Sequence, residues 1–147
     1  MAQYLRMLVN RRYWDRPEGD YSWLDEGQLP ADSLTQLRSH QNALSVFDAT
    51  NVSNIDRIIA ALAIKRTSRD QDFDYAIIQS SFLDKKGIDI EKSVGITPDK
   101  EVNAWHYELI RLDDEKAWAI AEYLMSGNTF RKLAGEVIDL LKQFNGK

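Results

Sequence analysis

The chain has 147 residues, 44% of them hydrophobic and 29% charged, with 19 basic and 23 acidic side chains for a net charge of −4, and it has no cysteine. That inventory excludes a disulfide framework, a Cys-type zinc site and a thiol nucleophile. It also argues against a surface built as a whole to hold nucleic acid. One domain spanning residues 1–147 is expected, because a chain of this length buries roughly 70% of its unfolded surface without staples.

Residues 3–9, rich in Tyr, Leu, Met and Val, predict a first strand. Arg6 interrupts this apolar stretch and Arg11, Arg12 and Trp14 follow it, so it does not resemble a signal peptide. A cytoplasmic location is the expectation. Residues 15–30 contain Pro17, Gly19, Gly27 and Pro30 among acids and aromatics and predict a long loop. A short helix over 31–38 follows, then a second strand over 43–48. Thr50, Asn51, Ser53 and Asn54 supply caps for a helix running to about residue 66. Its stripe of Ile55, Ile58, Ile59 and Leu62 has the i, i+3, i+4, i+7 spacing of one helical face. The longest apolar run, 58–64, has seven residues, against about 20 for a membrane span.

Residues 73–79 predict a third strand, and strand, helix, strand then implies a βαβ unit with a parallel crossover. After Gly87 and a variable stretch to Gly95, three helices are expected over 98–111, 114–126 and 130–144. Their stripes are Val102, Trp105, Leu109 and Leu112; Ala117, Ile120, Ala121 and Leu124; and Leu133, Val137 and Leu141. The predicted fold is therefore α+β: a sheet of about three strands with one βαβ unit in residues 1–96, and a three-helix layer in 97–147.

Charge is uneven along the chain. Residues 1–16 carry a net +3, and residues 17–32 carry −5. Within 10–24, Arg11, Arg12 and Arg16 interleave with Tyr13, Trp14, Tyr21 and Trp23. Arg, Trp and Tyr dominate binding hot spots, since they combine large rigid area with several donors. This segment is the candidate binding site. It fits a protein partner best, and its arginines and rings also suit phosphates and stacked bases.

Metal chemistry has a weaker candidate. Asp70, Asp72 and Asp74 alternate before the third strand and, with Asp48 at the end of the second, offer hard oxygen ligands for a hydrolase or nuclease. The calcium-loop pattern fails, because Tyr75 and Ser81 stand where the Gly and the bidentate Glu belong. His106 has no acid or imidazole at helical ligand spacing, and His40 lies beside Ser39 and Gln41 without a readable triad. No cofactor is implied. The sequence thus predicts a non-catalytic module binding a macromolecule through its Arg and aromatic segment, with an Asp-based metal hydrolase and a nucleic-acid binder as alternatives.

Overall fold

The computed structural model describes residues 2–8, 43–65 and 71–145, and its elements alternate through them. The strands are β1 (Gln3–Leu8), β2 (Leu44–Asp48), β3 (Phe73–Gln79), β4 (Asp89–Lys92), β5 (His106–Ile110) and β6 (Thr129–Lys132). The helices are α1 (Asn54–Ala63), α2 (Ser80–Lys86), α3 (Lys100–Asn103), α4 (Asp114–Met125) and α5 (Ala134–Asn145). The strands form a single sheet in the order β4-β5-β2-β1-β3-β6, and every ladder in it is antiparallel.

This corrects the expected three-strand sheet with a separate three-helix layer. The strand-helix-strand run β2-α1-β3 exists, but β1 pairs with both β2 and β3 and lies between them. The two outer strands therefore point the same way without touching, and no parallel ladder forms. Two predicted helices give part of their length to strands. In the first, only Lys100–Asn103 is helical, capped by Asp99, whose carboxylate accepts from the Glu101 and Val102 amides. The stripe through Trp105 and Leu109 is coincidental, because from His106 onward the residues alternate between sheet faces. In the second, Phe130 belongs to β6 and Leu133 precedes α5, 57% exposed. The buried stripe of α5 is instead Val137 and Leu140, with Leu141 and Phe144 packed beside them.

Both sheet faces are covered. On one, Leu8, Val46, Ile78 and Leu109 meet Leu83 of α2 and Ile120, Ala121 and Leu124 of α4. On the other, Leu5, Phe47 and Phe73 meet Ile58 and Ile59 of α1, Val102 of α3 and Val137 of α5. Sequence logic explains the double cover, since β1 carries Tyr4 and Leu8 toward one core and Leu5 and Met7 toward the other. Local signals end the helices: Gly87 closes α2 with φ +65, and Asp113 caps α4 by accepting from the Lys116 amide at 2.8 Å. Among the described residues no helix is long and apolar enough to cross a membrane.

The sheet is not uniformly zipped. β1 pairs with β3 along its whole length, from Gln3↔Gln79 to Leu8↔Asp74. Among the described residues its pairs with β2 are Tyr4↔Asp48 and Leu5↔Phe47. Beyond Leu5 the guanidinium of Arg6, rather than a main-chain amide, meets the β2 edge: its Nη1 donates to the Ser45 carbonyl at 3.1 Å.

Candidate functional site

A cavity of about 200 Å3 lies where the β1–β2 ladder has opened. Arg6, Met7, Ser45 and Phe47 line it from the two strands, Leu62 and Lys65 from the end of α1 and just beyond it. Ile96, Thr97 and His106 close the remaining side. Burial of the Arg6 guanidinium lowers its pKa to about 10, so it remains a cation at neutral pH. His106 is 6% exposed and stands edge-on to Phe47, with ring centroids 5.1 Å apart. Its Nδ1 has no hydrogen-bond partner among the described residues.

Burial pulls the His106 pKa below its ordinary value, with Lys92 acting in the same direction and Glu108 and the Ser93 main chain opposing. The folded protein therefore binds fewer protons here than the unfolded chain between the lowered value and about 6.5, the ordinary histidine value. Stability from this group is complete above that interval and is lost as pH falls through it. Thermal melts from neutral to mildly acidic pH should show Tm falling, and His106→Gln should flatten the slope. His40 is the other histidine in the chain. A slope removed by His40→Gln and kept in His106→Gln would assign the effect wrongly.

The turn beside the cavity is built around Asn103. Its Oδ1 accepts from the Thr97 amide at 2.7 Å, its Nδ2 donates to the Thr97 carbonyl at 2.9 Å, and its own carbonyl accepts from the Gly95 amide at 3.0 Å. Gly95 is buried against it: a Cβ there would come within 2.9 Å of Asn103 Oδ1 and 3.1 Å of its Cα. A side chain has no room at that position. Val94 and Ile96, on either side of this wedged glycine, are 81% and 84% exposed. Asp99 fastens the same region to α1, accepting from Arg57 Nε at 2.7 Å and Nη2 at 3.1 Å. Those hydrogen bonds, with the α3 amides, hold the Asp99 carboxylate below its ordinary pKa against the opposing effect of burial.

Arg11, Arg12, Tyr13, Trp14, Arg16, Tyr21 and Trp23 lie outside the described residues, as do His40 and Asp70.

The aspartates are divided. Asp74 on β3 faces Arg131 on β6 and accepts from its Nε at 2.8 Å and Nη2 at 3.3 Å. Asp72 accepts from the Ala134 amide at the start of α5 at 2.8 Å and lies 3.7 Å from the Arg131 guanidinium. Asp48 sits level with Tyr4 and Asp74 with Leu8, about 13 Å apart along β1 at the usual rise per residue. Asp48 accepts from the Thr50 amide at 2.9 Å. Among the described residues no three His, Asp or Glu side chains gather as a metal site.

A wider groove of about 440 Å3 runs between α2 and α4, bordered by Phe82, Lys86, Trp118 and Tyr123. Phe82 and Tyr123 stack across it with centroids 4.1 Å apart.

Sequence reasoning missed Arg6 as anything but a charge, and gave Ser45, Lys65, Thr97 and Asn103 no part in a site. A signal for Arg6 was present, since a lone cation stands between Leu5 and Met7 in an apolar strand. Val94 and Gly95 fell within the stretch read as variable, and Ile96 just beyond it. The chain matches no known family model, no curated protein and no solved structure.

Proposed function

We propose that this chain is a non-catalytic binding module for a protein partner, which it contacts through the Val94–Ile96 turn and through the Arg and aromatic segment 10–24. The observation that supports this reading is the pairing of exposure with rigidity at the turn. Two β-branched apolar side chains stand almost fully in water on a backbone fixed by Asn103 and by the buried Gly95. Isolated exposed aliphatics are ordinary, but two held in one pre-ordered turn bind with little further loss of conformational freedom. The composition of 10–24 supports it independently, because Trp14, Arg12 and Tyr13 are hot-spot residue types. The ion pairs of Asp72 and Asp74 with Arg131 give the metal-hydrolase alternative no such support.

Affinity capture from native extract, with the partner identified by mass, tests the reading. Val94→Asp and Ile96→Asp should each leave Tm nearly unchanged, as exposed positions do. Partner affinity should fall by about tenfold or more if these are anchor residues. Val52, also exposed at 68% but in the turn before α1, supplies the control: Val52→Asp should capture normally. Capture retained by both turn variants, or a partner removed by nuclease treatment, would refute a protein interface here.

A further inference from the structure

We propose that His106 is an acid-operated latch on the Val94–Ile96 turn: the neutral ring packs beneath the turn and keeps it ordered, and the imidazolium lets it go. As a control of partner contact this rests on the binding role proposed for the turn. As a property of the turn itself it does not.

The ring and the turn are joined directly. The His106 carbonyl accepts from the Ser93 amide at 3.2 Å, immediately before the turn. Gly95 is packed so closely that a Cβ there would come within 3.3 Å of the His106 Cβ. Ile96 and Thr97 border the same cavity as His106. On the sheet, the ring meets Phe47 edge-on.

A neutral imidazole suits this place and an imidazolium does not. Both nitrogens of the cation are N–H donors, yet Nδ1 is buried and has no hydrogen-bond partner among the described residues. A charged donor shut away from water without an acceptor is costly, and the cost is relieved once the ring reaches solvent. The charged neighbours are mixed. Glu108 on β5 favours the cation and Lys92 on β4 opposes it. Lys65, just beyond α1, and Arg6 of β1, bonded to the Ser45 carbonyl, line the same cavity. Asp99 and Glu101, at α3, are engaged by Arg57. Burial outweighs Glu108 and holds the His106 pKa below its ordinary value, so the latch stays closed at neutral pH.

Release falls on the turn rather than on the sheet. β5 is paired on both sides, by β2 and β4. The turn instead hangs on the Gly95 and Thr97 amides, both donating to Asn103, while Val94 and Ile96 stand in water. Segments with few buried contacts open at lower free energy than a core.

Amide hydrogen exchange of the full chain, followed by nuclear magnetic resonance from about pH 7.5 to about pH 5.5 and corrected for the intrinsic pH dependence of exchange, tests the latch. Protection of the Gly95 and Thr97 amides should fall severalfold as the His106 ring titrates, by at most about tenfold per pH unit, the limit for one proton. Amides of the β1–β3 ladder should keep theirs. His106→Gln should abolish the effect and His40→Gln should retain it. If His106→Gln does not fold, agreement between turn protection and the wild-type ring titration decides. Protection unchanged through that titration, or lost in step with the β1–β3 ladder, would overturn the latch. The affinity of the identified partner should fall severalfold over the same range for the wild type and not for His106→Gln; equal falls in both would overturn the control of binding. Capture that survives Val94→Asp and Ile96→Asp would refute the binding role, and the control with it, whatever the exchange data show.

Discussion

Phe73→Ala should lower the stability of the fold by about 3–5 kcal/mol, the cost of removing a fully buried aromatic and leaving its volume unfilled. Phe73 is 1% exposed at the start of β3 and packs in the core that joins the sheet to α1 and α5. Its ring lies 6.3 Å from that of Tyr75, which in turn stacks on Phe130 of β6 at 5.6 Å. Relaxation around a deletion here is limited, because α1 and α5 are packed on each other as well as on the strand. For a chain of this size the loss corresponds to a Tm decrease on the order of 10 °C. Chemical denaturation should show the same loss through a lower midpoint with an unchanged slope. A midpoint within experimental error of the wild type would show that this face is not packed as described.

Asn103→Ala should be the second large effect, costing roughly 2 kcal/mol or more. It strips partners from the Thr97 amide and carbonyl, and each such group left unmade where water cannot replace it costs about 1–3 kcal/mol. Asn103→Asp should fall between the two, since it keeps an acceptor for the Thr97 amide and loses the donor to the carbonyl. The distinctive outcome concerns binding. Although neither Val94 nor Ile96 is altered, partner capture should weaken with Asn103→Ala, because a loosened turn must be ordered again on association. Circular-dichroism melts and capture assays on the two variants would check both halves. An alanine variant with unchanged Tm would mean that these hydrogen bonds do not hold the turn.

Much of the local structure was legible in the sequence. The stripe of Ile55, Ile58, Ile59 and Leu62 has one periodic reading, and α1 occupies it with Ile58 and Ile59 fully buried. β1, β2, β3 and α4 were placed within a residue or two of their ends. Misreadings fell where two periods overlap. From Val102 to Leu112 the apolar residues fit a helical stripe, yet Tyr107 and Leu109 share one sheet face while His106 lies on the other. A five-residue strand is too short for its alternation to outweigh a flanking turn of helix. β6 was concealed in the same way, beneath a stripe that seemed to begin at Leu133.

The topology and the candidate site were less legible for a different reason: both depend on partners distant in sequence. Insertion of β1 between β2 and β3 leaves no mark on the intervening residues. The alignment of Asp72 and Asp74 was readable, but Arg131, which turns them from candidate ligands into an ion-pair network, lies 57 positions beyond Asp74. Arg6 counted in the charge tally as one of a basic cluster. The meeting of its guanidinium with Ser45, 39 residues away, leaves no mark on the residues around it.

The strand order has a consequence for how the chain reaches its final state. β5 and β6 are joined through α4 alone, yet they lie on opposite sides of the three central strands. The last third of the polypeptide therefore supplies the cover for both flanks of the β2-β1-β3 unit, and until it is made that unit presents two open borders to other chains. On a ribosome the central strands emerge first and must wait. Such distant pairings form slowly, so the interval before α4 is in place is the period in which this protein is most open to intermolecular strand pairing. Once closed, the borders among the described residues are the four-residue strands β4 and β6, bearing Asp89, Glu91 and Lys92 on one side and Arg131 and Lys132 on the other. Short, charged strands of this kind are poor templates for further growth.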